Sequence, residues 1–451
     1  MVCLFEVTMP GNAQMTKARL DGVYLFLLGS VVFLFFGVAL EHGAPAPLAD
    51  FRGLYYPAQC FTQHCDPYRQ SDVLRVYTAE SSLEPSDSAK VRQIVTQAIY
   101  PPTAYSFTIP IGLLPWGPAH VLWMALNIAG LIFASFLIFT FGADHSPLLY
   151  GSFLGFLLAN SEVVVIGGNP AGIVVSLCVV AVWCFLRNRF VFAGVACLAA
   201  SLAIKPQEAG FVWLFFLLAG GMYRRRALET LAAVAALGLP GVLWVWHASP
   251  HWMTELKSNL AAYSVHGGTN DPSLASAGAH GLGMVVSLQA ITSVFSDEPH
   301  VYNLVSYLIF GVLLLIWMAG TLRSRMTPDR IWLALAAISA LSMLPVYHRQ
   351  YDTKLLLLTI PACALLYAEG GVSGKFALGI NILGFVLTGD LVWTILFYLI
   401  GHQPQFFSRW PAPLLMAIQV FPAPLILLAM GVFYLWAYMK RCPAPVGEQA
   451  V

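Results

Sequence analysis

The chain has 451 residues, of which 58% are apolar and only 10% charged, with a formal net charge of +1 and a mean hydropathy of +0.73. A soluble domain carries roughly 25% charged residues, so this composition excludes a water-covered globule, and the near-neutral charge gives no basis for nucleic-acid binding. The apolar residues run on continuously, as helices crossing a bilayer require, and do not alternate as barrel strands do. The expected fold class is an all-α polytopic membrane protein.

Lys17 and Arg19 precede the first apolar run, 21–41, which is too long for the core of a cleaved leader and reads as a retained helix. Further runs at 119–141, 147–166, 171–186, 190–204, 207–222, 228–248, 301–320, 330–346, 353–368, 376–399 and 413–439 bring the expected spans to twelve. With the N-terminus inside, the basic residues of short loops fall on the cytoplasmic side: Lys17/Arg19, Arg187/Arg189, Arg224 to Arg226, Arg323/Arg325, Lys375 and Lys440/Arg441. Both termini are then cytoplasmic, and two long loops, 42–118 and 249–300, face outward from an inner (plasma) membrane. No appended soluble domain is evident, so residues 1–451 read as one integral-membrane domain.

The first outer loop opens on LADFRGLYYPAQCFTQHCDPY, residues 48–68, a dense polar and aromatic cluster. Cys60 and Cys65 share it. In an oxidising compartment they would form a disulfide, favoured over a metal site because His64 alone leaves the ligand set incomplete. Cys178, Cys184, Cys197 and Cys363 lie in apolar runs and read as small hydrophobes. Next, TAESSLEPSDSAKVRQIV reads as an amphipathic surface helix, and the proline-broken YPPTAYSFTIPIGLLPW as an interfacial or re-entrant segment. In the second outer loop, SVHGGTNDPSLASAGAHG has the composition of an ordered loop or a mobile lid.

An ionisable group in lipid needs a reason, and these gather at the outer ends of the expected helices. Lys205, in AIKPQEAG beside Gln207 and Glu208, breaks the positive-inside trend and reads as functional more than as a snorkelling lysine. In PVYHRQYDTK, His348 and Arg349 read as functional, whereas Tyr347 and Tyr351 read as an interfacial aromatic belt beside an Arg–Asp pair. Glu162 lies near the outer end of its run, and the deeper Asp390 reads as a structural carboxyl. Guanidinium and ammonium groups suit a phosphate at headgroup depth. A carboxylate aimed at the same place suits general-base work on a hydroxyl.

Taken in order, Asp50 with Tyr55–Tyr56 and Pro67–Tyr68, the Tyr100–Pro101–Pro102 segment, LPW followed by LWMALN, GGNP, RNRFVFAGVACLAASLAIKPQ, NDPSL and HRQYD before LLLLTIP resemble glycosyltransferase family 87, within the GT-C superfamily of integral-membrane glycosyltransferases. The chain departs from that pattern at Gly168–Asn169, where relatives often carry Gly-Gln, and in its Cys60/Cys65 pair. The resemblance implies a GT-C-type bundle of about 12 transmembrane helices with a long first extracytoplasmic loop. It implies a polyprenyl-phosphate donor carrying mannose or a related hexose or pentose, and inverting transfer to a hydroxyl of a glycan, lipid or protein acceptor on the extracytoplasmic face.

Asp50 matches the family's catalytic acidic position and is expected to deprotonate the acceptor. Asp66 is its competitor, although an Asp-Pro-Tyr turn explains Asp66 without catalysis. Lys205 and Arg349 are expected to stabilise the leaving phosphate, with His348, Asn169 and Gln207 completing the substrate site. Tyr55 and Tyr56 are expected to stack on sugar or line the acceptor groove, with packing in the loop's own core an equal reading for one of them. No cofactor is expected beyond the donor lipid, and the loop has no DxD pattern to suggest a metal. A secondary transporter or lipid-linked-sugar flippase is the alternative, but it would show interrupted helices paired between two halves. A ligase of the O-antigen type would carry its polar loop late in the chain.

Overall fold

The structure, a computed structural model, describes residues 12–44, 46–80, 89–268, 270–273, 285–323, 325–391 and 422–441. Among them there is no strand, only one isolated antiparallel bridge between Val285 and Arg349. Among the described residues, six helices are long and apolar enough to cross a membrane: Met15–Gly43, Trp116–Gly142, Pro147–Gly167 (broken at 159–161), Gly221–Ala248, Pro299–Arg323 and Pro422–Lys440.

The other expected spans are shorter than full crossings. Ala171–Arg187, Val191–Ile204, Pro206–Leu218 and Gly371–Leu387 are apolar helices of 10–17 residues, and Pro328–Leu341 has 14. The interval 353–368 is a 3-10 segment, Asp352–Thr359, leading into Ile360–Glu369. A 14-residue helix reaches only about 21 Å against a hydrocarbon thickness of about 30 Å, so twelve full crossings are not present among the described residues. Prolines account for part of the shortening, as where Pro206 separates Val191–Ile204 from the helix it begins. The expected spans 376–399 and 413–439 lie partly outside the described residues.

The first helix, Asn12–Gly43, packs on Pro147–Leu158 through paired glycines. Gly22 lies on Gly151 and Gly29 on Gly155, so close that a β-carbon at any of them would overlap the opposite backbone. Lipid tails are as apolar as the side chains, so such close approach, more than burial from water, holds membrane helices together. The rest of the first helix presents Tyr24, Leu28, Val31 and Phe35 outward, as a lipid-facing surface does.

One end of the bundle is tied by basic side chains. Arg19 pairs with Asp144 at 3.6 Å, Arg187 donates to the Thr140 carbonyl at 2.9 Å, Arg226 to that of Phe185 at 2.7 Å, and Arg441 pairs with Glu369.

The first long loop folds into helices Ala49–Thr62, Gln70–Glu80, Ala89–Thr96 and Pro102–Gly112. Of the amphipathic helix expected across 78–95, residues 78–80 and 89–95 are helical and 81–88 lie outside the described residues. Pro102–Gly112 is too short to cross a bilayer and lies against Gly221–Ala248, where Gly241 N–H donates to Ser106 Oγ at 3.1 Å. Cys60 and Cys65 form a disulfide, with Cα atoms 5.0 Å apart. The second loop forms Trp252–Tyr263 and the short helix Leu288–Thr292. Residue 269 and residues 274–284, which take in half of the segment expected to be an ordered loop or lid, lie outside the described residues.

Gly155→Leu should cost at least about 1–3 kcal/mol by overpacking, lowering the thermal unfolding midpoint of the detergent-purified protein. Gly311→Leu, where an added β-carbon meets nothing within 4 Å, should leave the midpoint unchanged.

Candidate active site

At the end of the bundle opposite the arginine contacts, the chain leaves the first helix and enters Ala49–Thr62 through Leu48, which is buried and held at φ 50°, ψ 37°. That left-handed backbone costs leucine about 1–2 kcal/mol, and the Leu48 N–H donating to the Ile166 carbonyl at 2.9 Å holds it in place. It sets Asp50, in the helix's first turn, against the turn that follows Glu162–Gly167. Gly168 takes φ 62° there, and its carbonyl accepts from Trp123 Nε1 at 2.7 Å. Any larger residue would strain that backbone and would bring a β-carbon to 2.8 Å from Leu48 Cγ.

The next residue, Asn169, is buried and joins the parts. Its Nδ2 donates to Asp50 Oδ2 at 2.7 Å. Its Oδ1 accepts from Ala171 N–H at 3.0 Å and from Lys205 Nζ at 3.3 Å. Lys205 sits buried in the break before Pro206, and its ammonium also donates to Glu208 Oε1 at 3.1 Å and to Asp352 Oδ1. Asp352 Oδ2 in turn accepts the Arg349 backbone N–H at 2.7 Å. The Arg349 guanidinium donates to the Tyr347 hydroxyl.

Burial alone would discharge Lys205, but Asp352 and Glu208 outweigh it and hold its pKa above the ordinary lysine value. For Asp50 the balance runs the other way. Burial raises its pKa above the usual carboxylate range, more than the Asn169 hydrogen bond and the charges of Arg349 and Lys205 lower it.

These groups line a cavity of about 480 Å³, within the range of about 300–1,000 Å³ usual for small-molecule sites. Asp50, Asn169, Lys205, Gln207, Arg349 and Asp352 supply polar walls, together with Tyr100, Tyr263, Tyr347 and Tyr351. Ile94, Ile99, Ile204, Leu256, Leu260 and Val346 make the cavity apolar elsewhere. Among the described residues, no group of three His, Cys, Asp or Glu side chains is placed to hold a metal ion.

No curated protein and no solved structure matches the chain. A family model, glycosyltransferase family 87, matches residues 98–346, more than half of its length. The chain belongs to glycosyltransferase family 87. As a family 87 glycosyltransferase it moves a sugar from a donor to an acceptor. The matched region includes Asn169, Lys205 and Gln207, whereas Asp50 precedes it and Arg349 and Asp352 follow it. The fold joins them.

Five of the residues singled out from the sequence thus meet in one cavity: Asp50, Asn169, Lys205, Gln207 and Arg349. Three do not line it. Tyr55 and Tyr56 are buried in the loop's own core, where Tyr55 donates to the Leu114 carbonyl at 2.7 Å and Tyr56 packs edge-on against Tyr77. His348 is buried, with Nδ1 3.0 Å from the Val346 carbonyl. Val346, Tyr347, Arg349, Tyr351 and Asp352 line the cavity, while His348 and Gln350 are buried and do not line it. The two tyrosines assigned to an aromatic belt are therefore cavity residues.

Asp66 is spent on its turn, accepting the Tyr68 N–H at 3.0 Å. Asp390 accepts the Val163 N–H at 2.8 Å and pairs with Lys354 at 3.6 Å, a structural carboxyl. Tyr263 was not anticipated as a site residue. Its signal was the spacing of Leu256, Leu260, Tyr263 and Ser264, which places one face of Trp252–Tyr263 on the cavity.

Because Lys205 donates to two buried carboxyl groups, Glu208 and Asp352, Lys205→Met leaves buried charge uncompensated and should destabilise the protein by about 3–5 kcal/mol, read as a drop in thermal midpoint. Gln207→Ala, at a half-buried cavity position, should leave the midpoint near that of the parent.

Proposed function

We propose that this family 87 enzyme transfers a sugar, mannose or a related hexose or pentose, from a polyprenyl monophosphate to an acceptor hydroxyl, with inversion, on the extracytoplasmic face. The observation that carries the proposal is the meeting of a carboxylate, Asp50, and a cation, Arg349, in one cavity with an apolar wall. Such a wall suits prenyl units next to the phosphate. The clustering of arginine contacts at the opposite end of the bundle supports the sidedness.

In this mechanism Asn169 fixes Asp50 through Oδ2, and burial strengthens the carboxylate as a proton acceptor. The acceptor oxygen bonds to the anomeric carbon as the bond from that carbon to the phosphate oxygen breaks. The bonding pair leaves with the phosphate, and the acceptor proton passes to Asp50. Arg349 holds the phosphate charge. Lys205 has a different part from the one expected of it. Its donors are already engaged by Asn169, Glu208 and Asp352, so it positions those groups and does not grip the donor itself. Asp352 has one oxygen on Lys205 and the other on Arg349 N–H, so among the described cavity residues no second carboxylate is left to act as a nucleophile. A single inverting displacement fits that arrangement.

Asp50→Asn preserves shape and should cut kcat by about 10²–10⁴ while the protein stays folded. The assay is sugar transfer from a synthetic short-chain polyprenyl-phosphate mannose in detergent, where a flippase would make no product; normal turnover by the variant would sink the assignment of the base. The active form is the carboxylate, so kcat/KM should fall as pH drops through the raised pKa of Asp50. Asn169→Ala removes a hydrogen bond that lowers that pKa. The acid limb of its pH profile should therefore move to higher pH, and an unmoved limb would remove Asn169 from this role.

A further inference from the structure

A second cavity, of about 270 Å³, lies beside the first. The two share Ser264, Asn270, Val346 and Tyr347 as a common wall. Their chemistry differs. Ser287, Gln289, Asn303 and Tyr307 bring neutral hydrogen-bonding groups to the second cavity beside His266 and Asp271, and among the described residues no lysine or arginine lines it.

Gln289 is its fixed point. The residue is 4% exposed, its Nε2 donates to the Pro345 carbonyl at 2.7 Å, and its Oε1 is buried with no hydrogen-bond partner. Leaving a buried acceptor unpaired costs about 1–3 kcal/mol, a cost that an arriving O–H donor removes. The one carboxylate at this wall, Asp271, is consumed locally: it accepts from Gly267 N–H at 2.7 Å and from Ser273 N–H and Oγ at 3.0 and 2.6 Å. The segment carrying Gln289 is also bound to the one carrying Arg349, through Val286 N–H to the His348 carbonyl at 3.0 Å and Leu288 N–H to the Leu344 carbonyl at 2.9 Å.

Resting on the assignment of the first cavity as the transfer site, we propose that the second cavity is the acceptor subsite and that the acceptor is a neutral sugar. A volume just below the range of about 300–1,000 Å³ for drug-sized ligands suits one polyhydroxyl unit. The amide and hydroxyl lining matches the many O–H groups of a sugar, and the histidine of the wall, His266, stands between Asp271 Oδ2 at 3.4 Å and Asp297 Oδ2 at 3.5 Å, so its ring nitrogens face carboxylates and give a phosphorylated acceptor little counter-charge. The hydroxyl to be glycosylated passes Tyr347 toward Asp50, which takes its proton as the new glycosidic bond forms and the donor phosphate departs.

The test uses the full-length protein in detergent with polyprenyl-phosphate mannose as donor. Methyl mannoside, methyl mannoside 6-phosphate and butanol serve as acceptors, and slow donor hydrolysis by water is measured alongside. Gln289→Leu and Asn303→Leu should each raise the KM for methyl mannoside about tenfold, the loss of one good hydrogen bond. The donor KM, the hydrolysis rate and transfer to butanol should stay unchanged in both. Asn303 is half-buried at the start of Pro299–Arg323 and decides the matter if the Gln289 variant fails to fold. An unchanged methyl mannoside KM in the folded variants, or preference of the parent for the phosphorylated acceptor, would overturn the proposal. If the parent neither hydrolyses the donor nor transfers from it, the assignment of the first cavity fails, and the acceptor subsite fails with it.

Discussion

One buried ammonium group organises the site. Lys205 reaches Asn169 from one segment, Glu208 from its own helix and Asp352 from a position 147 residues away in the chain. Through Asn169 it also fixes Asp50. A buried ion cluster adds little net stability, because desolvation offsets most of its attraction, but losing one partner leaves an uncompensated charge. Its value here is geometric: few other arrangements of these segments satisfy all the donors and acceptors at once. The break that exposes the ammonium serves a second purpose. The final carbonyls of a helix lack intrahelical partners, and that of Ala203 accepts from Thr103 Oγ1 at 2.6 Å, bringing the first loop onto the same turn.

The first loop meets this cluster as a preformed body. Phe51 stacks on Trp123 at 4.4 Å, and the same Trp123 donates to Gly168, so one indole locks both sides of the Asp50–Asn169 contact. Tyr55 and Tyr56 fill the space behind, against Trp116 and Tyr77, and the Cys60–Cys65 bond closes the far end of the same helix. A catalytic group is held to useful tolerance only when its supports are themselves packed. The aromatic density at 48–68 is that support and not a sugar platform.

Lys205 and Arg349 stood out in the sequence because charge at the margin of a bilayer is expensive, whereas Asp50 was singled out by its match to the family pattern. Their compensation was not legible. Asp352 pairs with Lys205 across a separation that leaves no local pattern, and the split of Tyr347, Arg349 and Tyr351 from His348 depends on a local backbone course set by the Val285–Arg349 bridge and by the turn in which Asp352 N–H donates to the Arg349 carbonyl at 2.9 Å. Helix positions were legible from apolar runs, but their lengths were not. An interior helix such as Val191–Ile204 is as apolar as a spanning one yet ends where proline and packing end it. The face of Trp252–Tyr263 that lines the cavity had the ordinary spacing of an amphipathic helix, obscured by the turn-forming residues that follow it.

The charge balance of the cluster gives the silence of Lys205 a purpose. Lys205 meets Glu208 and Asp352 at hydrogen-bond range, and Asp50 feels its charge together with the opposing charge of Asp352. Were the lysine charge unmatched, it would hold Asp50 as a weaker base; paired, it leaves burial to dominate. On the proposed mechanism an anionic donor then brings further negative charge near Asp50, and like charge raises a carboxylate's pKa again. The base is therefore strongest while the donor is bound, when an acceptor proton must be taken. Once the phosphate has left the site that push is gone, and Asp50 releases its proton more readily for the next cycle.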